Sequence, residues 1–252
     1  MLKKRIIPVQ LLMGERLVKT IRFDEYRDVG DPVSSSRIYN DSDADELALL
    51  NIDRDNRSID FMLSLIDRIS EVCFMPLAMG GGIRTLEDAE RLIKGGADKI
   101  VLNSEAYNNP QLIHNIATVF GNQAVVVSID VFREGGDYAL YSDCGRRRQH
   151  IALDDHVLRC IEQGAGEILV NAVDRDGVME GYDIELIERV VKLSNVPVIG
   201  CGGAGDFAHL RDAFLQSHCS ALACGSLFNF GDNNPIRAKA FLRNYDIPLK
   251  VT

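Results

Sequence analysis

A chain of 252 residues, 46% hydrophobic and 26% charged with a net charge of -9, has the length of one large domain and would bury roughly three-quarters of its unfolded surface. The acidic balance excludes a general nucleic-acid binder, because neutralising phosphates needs a basic face and the longest cationic run is Arg146-Arg147-Arg148, read as a solvated loop. The apolar stretch after Lys3, Lys4 and Arg5 is broken by Gln10 and Gly14-Glu15, too early for a signal or membrane segment, and the six cysteines lack C-x-x-C spacing, so a reduced cytoplasmic protein is expected.

Apolar runs bounded by turn residues predict eight strands, the first near residues 5–11. Their unbroken apolar character suits a parallel sheet buried on both faces. The insertion GERLVKTIRFDEYRDVGDP follows the first strand and would overhang the C-terminal ends of the strands. Strands near 46–52 and 76–79 come next. TLEDAERLIKGG then reads as a helix in which Thr85 caps, Glu87 and Asp88 suit the first turn and Gly95-Gly96 end it. After strands near 98–103 and 124–130, a second insertion, FREGGDYALYSDCGRRRQ, carries a hairpin turn at EGGD. Strands near 167–172, 197–201 and 220–224 complete the set, and no linker or composition shift divides the chain, so one domain over 1–252 is expected.

The chain also repeats itself at a spacing of 121 residues. ADELALLNIDRD from Ala44 is answered by AGEILVNAVDRD from Ala165, and PLAMGGGIRT from Pro76 by PVIGCGGAGD from Pro197. Two halves of about 120 residues, each with room for roughly four βα units, describe a duplicated half-barrel. The predicted fold is therefore an α/β (β/α)8 TIM barrel.

In such barrels chemistry sits at the C-terminal ends of the strands. Glycine pairs there let backbone N–H groups approach an anion, and a following helix offers its positive N-terminus. Two phosphate cradles are predicted. One combines Gly81-Gly82 with Asn103-Ser104, and the other combines Asp176-Gly177, Gly202-Gly203 and Gly225-Ser226. A single glycine pair is explained as well by the need to turn, but two at repeat-related positions point to a long substrate with a phosphate-like group at each end. Ser104 and Ser226 have no adjacent base, so they are read as phosphate donors and not as nucleophiles. His114, His150, His156, His209 and His218 show no metal-ligand spacing and are read as solvated or satisfied. No G-x-G-x-x-G follows a strand, so no nucleotide cofactor and no metal are expected.

KRIIPV at the start, VGDP at 29–32, GGGI at 80–83, AVVVSID at 124–130, GAGEILVNAVDRDG at 164–177 and GGAG at 202–205 resemble the cyclase subunit of imidazole glycerol phosphate synthase, the HisF family, over essentially the full length. The resemblance implies an enzyme complex in which a partner glutaminase releases ammonia. The ammonia crosses the barrel to attack a bisphosphate substrate, giving imidazole glycerol phosphate and an aminoimidazole ribonucleotide. It also implies a general acid/base pair of aspartates on strands 1 and 5. Asp130 matches the second, but aligning RIIPVQL with AVVVSID puts Leu11 at the first, and Gln10 neither titrates nor faces the same way. The strand 2 position that is usually aspartate in the family is Asn51, while Lys19, on the loop after strand 1, is retained.

Arg5, Glu46, Lys99 and Glu167 fall at strand starts and match the family's charged gate at the entrance to the barrel interior, and Asp98 matches a residue that contacts the glutaminase. Docking and channelling are thus expected to persist where cyclisation does not. Members with an apolar residue at the strand 1 position are similar to those accompanying an N-acetyl sugar amidotransferase in bacterial surface-polysaccharide synthesis, where the ammonia serves an acetamidino group. Two alternatives stand beside this divergent paralogue: an authentic cyclase of histidine biosynthesis, and a non-catalytic glutaminase-activating partner.

Overall fold

The computed structural model describes residues 3–250. Its first half runs β1 (Arg5–Met13), β2 (Arg16–Ile21), β3 (Asp24–Gly30), α1 (Pro32–Asp41), β4 (Leu47–Asn51), α2 (Ile59–Ser70), β5 (Leu77–Gly80), α3 (Leu86–Gly95), β6 (Lys99–Leu102), α4 (Ser104–Asn108) and α5 (Gln111–Phe120). The second half repeats that order: β7 (Val125–Glu134), β8 (Asp137–Ser142), β9 (Arg147–Gln149), α6 (Leu153–Glu162), β10 (Glu167–Ala172), α7 (Ile184–Leu193), β11 (Val198–Cys201), α8 (Phe207–Ser217), β12 (Ala221–Cys224), α9 (Ser226–Asn229) and α10 (Pro235–Arg243). The internal repeat is therefore a repeat of structure as well as of sequence.

Eight of these strands, β1, β4, β5, β6, β7, β10, β11 and β12, pair in parallel, and β12 closes on β1 with Arg5 opposite Ala221. The result is a closed (β/α)8 TIM barrel. Side chains alternate along each strand. Ile7, Val9 and Leu11 of β1 thus join Ala48, Val101, Val126, Leu169 and Ile199 in the barrel interior, while Ile6 and Leu12 join the larger apolar layer under the helices. Gln10 faces outward, as its alternation requires, and its Oε1 accepts from Ser36 Oγ of α1 at 3.3 Å.

Local chemistry explains the helix starts. Asp31 caps α1 by accepting from Ser34 N at 2.8 Å, with proline entering the first turn, which is what VGDP encodes. Thr85 and Asp88 form a capping box on α3, and Asp206 and His209 form the equivalent box on α8. The two insertions are antiparallel hairpins. β2 and β3 fold back on β1, and β7 continues past the expected end at residue 130 to Glu134, which pairs with Asp137 across Gly135-Gly136. The cationic run is not a loop: Arg147 and Arg148 belong to β9 and pair with β8. No helix among the described residues is long and apolar enough to cross a membrane.

Candidate functional site

Parallel strands bring all their C-terminal ends to one mouth, where the βα loops surround a cavity of about 350 Å³. Asp130 of β7 and Leu11 of β1 both line it. Their strands are four apart in a ring of eight, so the two residues stand on opposite walls.

Asp130 is buried, and its carboxylate accepts from Asn103 Nδ2 of the neighbouring strand end at 3.0 Å and from the Asn171 amide on the other side. Burial pushes its pKa up to about 7, with Asp176 nearby adding to the rise and the two amides opposing it. A carboxyl whose folded pKa lies above its unfolded value contributes fully below the unfolded pKa, and that contribution is lost as pH rises through 7. Asp130→Asn is therefore expected to stabilise the protein at pH 8 by on the order of 4 kcal/mol and to change little at pH 4. Thermal melts at the two pH values check this, and a variant weaker at both would mean that the amide bonds outweigh burial.

Leu11 contributes only apolar surface, beside Leu50 and Cys201 at the top of the interior. Asn51 is buried, donating to Asn56 O at 3.1 Å and accepting from Asp53 N at 2.9 Å, so its amide is tied into its own loop. Lys19 is buried on β2, bonded to Val9 O at 2.5 Å and lying against Gly225, and burial lowers its pKa to about 8 while Asp176 opposes the shift.

Residues of both predicted cradles line this one cavity. Gly81 and Gly202 need glycine for a reason independent of any anion. Each has positive φ, 101° and 93°, and a Cβ would stand 2.1 Å from Asn51 O in one case and 2.5 Å from Ala172 O in the other. The helix entries match too: Asn103 before α4 has φ/ψ of -125/-80° and Gly225 before α9 has -105/-84°. Asp176 lines the cavity with them, its carboxylate held by neighbouring groups. Its carboxylate turns to Thr20 Oγ1 at 2.6 Å and Phe23 N at 3.3 Å, tying β2 to the loop after β10, and burial raises its pKa. Gly177 packs directly under Thr20.

At the opposite end of the barrel, Arg5, Glu46, Lys99 and Glu167 form a closed ring in which each cation bridges both carboxylates. Arg5 reaches Glu46 at 2.7 Å and Glu167 at 2.9 Å, and Lys99 reaches them at 2.6 and 3.0 Å. The ring stands directly below the apolar interior that ends at Leu11 and Asp130. Asp98 is exposed, but its carboxylate accepts from Leu77 N at 2.8 Å and so fastens the start of β5.

Several residues at the mouth escaped the sequence reading. Arg57 and Arg147 line the cavity, as do Asp143 and Cys144 of the turn between β8 and β9. Among the histidines, His209 Nδ1 accepts from Gly205 N at 3.1 Å, whereas His156 is fully buried, stacks on Tyr107 at 4.0 Å and has its pKa pushed down to about 4 by burial. Among the described residues no group of three or more His, Cys, Asp or Glu side chains is placed to hold a metal ion.

The family model for histidine biosynthesis proteins matches residues 5–234. Over 251 residues the chain is 41% identical to the imidazole glycerol phosphate synthase subunit HisF of Alkaliphilus metalliredigens, covering 99% of this chain and 100% of that one. It is 42% identical over 243 residues to the same subunit of Exiguobacterium sibiricum, covering 96% and 97%, and 41% identical over 253 residues to that of Caulobacter vibrioides, covering 100% and 97%.

Proposed function

Because the chain belongs to the histidine biosynthesis protein family, alongside the imidazole glycerol phosphate synthase subunits HisF, we propose that it is a synthase subunit that receives ammonia from a partner glutaminase and has lost most of the family's own cyclisation. The observation that carries this reading is the combination of a complete charge ring with a mouth in which Asp130 faces leucine. Proton transfer by a positioned side chain is worth roughly 10²–10⁴-fold, and Leu11 can supply none of it. The ring and the apolar interior above it are consistent with what an ammonia path needs, a charged gate at the entrance and a largely apolar lumen.

In this reading a phosphorylated small molecule spans the two cradles, with Lys19 at the second. The ammonia serves an acetamidino group on a surface-polysaccharide sugar, through an N-acetyl sugar amidotransferase. A second reading, a working cyclase, is favoured by one feature: a carboxyl with a pKa of about 7 can both give and take a proton near neutral pH, so Asp130 would perform both transfers.

The glutaminase would dock where the ring lies. Ile38 (61% exposed), Phe74 (82%) and Val119 (57%) sit at or just beyond the C-terminal ends of α1, α2 and α5, hence on the face where the strands begin. The purified chain is expected to bind a class I glutaminase subunit and stimulate its glutamine hydrolysis. Phe74→Asp should weaken the complex by about 2 kcal/mol or more in isothermal titration, the loss typical of a central aromatic anchor. Unchanged affinity would remove Phe74 from the interface. Phe74 is the cleaner probe than Asp98, whose reversal would also release Leu77 N.

A further inference from the structure

The turn between β8 and β9 lies over the first cradle. The Asp143 carboxylate takes Arg54 through Nη2 at 2.5 Å and Nε at 3.2 Å, and also Arg57 Nη2 at 3.3 Å, while the Asp143 backbone N–H donates to Ser104 Oγ at 3.1 Å. Arg57 stands against the cradle itself, since a Cβ added at Gly82 would lie 2.7 Å from Arg57 Cβ, and its Nε is buried without a hydrogen-bond partner. Of the two side chains best placed to grip an anion beside Gly82, Arg57 is thus engaged by the Asp143 carboxylate and Ser104 Oγ by the backbone N–H of the same residue.

The backbone of this turn is left-handed throughout, a form free for Gly145, tolerated by Asp143 and unfavourable for Cys144. Asp143, Cys144 and Gly145 have φ of +53°, +56° and +77°. Such a conformation persists where surrounding contacts over-determine it. Here they include the bonds that Arg54 and Arg57 donate to the carboxylate, the Asp143 N–H donated to Ser104 Oγ, and Cys144 Sγ held between Arg57 and Ile52 O, so loss of Arg57 and Ser104 to a competitor would loosen the turn.

We propose that the Asp143 carboxylate is a built-in anion that holds Arg57 of the first cradle, and that a phosphorylated ligand binds to Arg57 and Ser104 by displacing it. This rests on the cradle part of the function proposed above. The ligand must offer more than the carboxylate does. A phosphoryl dianion does so, with about two charges and three acceptor oxygens able to engage the guanidinium group and the hydroxyl together. Neutral sugars and simple carboxylates do not, so the displaced aspartate selects for a phosphorylated end.

Inorganic phosphate titrated calorimetrically into the full chain at constant ionic strength tests this. A site held by an internal competitor nine-tenths of the time binds about tenfold more weakly than the open site, so Asp143→Asn should tighten one phosphate site by about that factor and leave the second unchanged. The gain should vanish in the Asp143→Asn, Arg57→Gln double variant. Unchanged or weaker phosphate binding in Asp143→Asn would overturn the proposal, showing Asp143 to be a buttress that positions Arg57. A gain that survives Arg57→Gln would also overturn it. Absence of phosphate binding at either site in every variant would overturn the cradles as well, an outcome distinct from failure of the aspartate alone.

Discussion

Leu11→Asp is expected to raise ammonium-dependent formation of imidazole glycerol phosphate by about 10²–10⁴-fold, a barrier reduction of roughly 3–5 kcal/mol. The new carboxyl would project into the cavity from β1, opposite Asp130 across the mouth. Its surroundings, Leu50 and Cys201, would raise its pKa by desolvation, as burial does for Asp130, and so bring it toward the working pH of an acid/base pair. Adding Asn51→Asp returns the second acidic position, but at a cost in stability: aspartate keeps the acceptor for Asp53 N and loses the donor to Asn56 O. Ammonium chloride as nitrogen source bypasses the glutaminase, so the assay reads the mouth alone. No turnover in either variant would show that the substrate site, and not one proton-transfer group, has diverged.

Glu46→Gln is expected to destabilise the fold by about 3 kcal/mol, because removing one partner of a buried ion pair leaves its opposite charge uncompensated. Glu46 is almost wholly buried and serves both Arg5 and Lys99, and the remaining carboxylate, Glu167, cannot balance two cations. For a chain of this size the melting temperature should fall by about 10 °C. Replacing all four ring members with apolar residues of similar volume is expected to restore stability, since buried ion pairs are weak sources of it. That apolar plug should still abolish use of glutamine-derived ammonia if the ring is a gate. A plugged barrel that uses glutamine as well as the native one would contradict the gate.

The barrel was legible in the sequence because its strands are buried on both faces, which writes them as unbroken apolar runs, and because the duplication leaves glycine pairs at Gly81 and Gly202. Even so, those glycines are explained by chain crossings at Asn51 and Ala172, a steric demand that sequence cannot separate from anion binding. Asp176 shows another limit: it lines the mouth as expected, but the bonds it accepts from Thr20 and Phe23 join distant loops and leave no local signal. The pairing of Arg57 with Asp143 joins residues 86 apart on separate loops and leaves no local signal. His156 is different. It shares a helix face with Leu153, Val157 and Cys160 of α6, all buried, so its burial could have been read from the 3.6-residue period.

The most direct test of the proposed function is the ratio of two products from the reconstituted complex of this chain with its glutaminase, given glutamine and the bisphosphate substrate of the histidine pathway. Glutamate formation should be stimulated by the barrel, while imidazole glycerol phosphate accumulates at least about a hundredfold more slowly, the deficit expected for one missing acid/base group. One imidazole glycerol phosphate formed for each glutamine hydrolysed would contradict the account and make this chain a working cyclase with Asp130 performing both proton transfers.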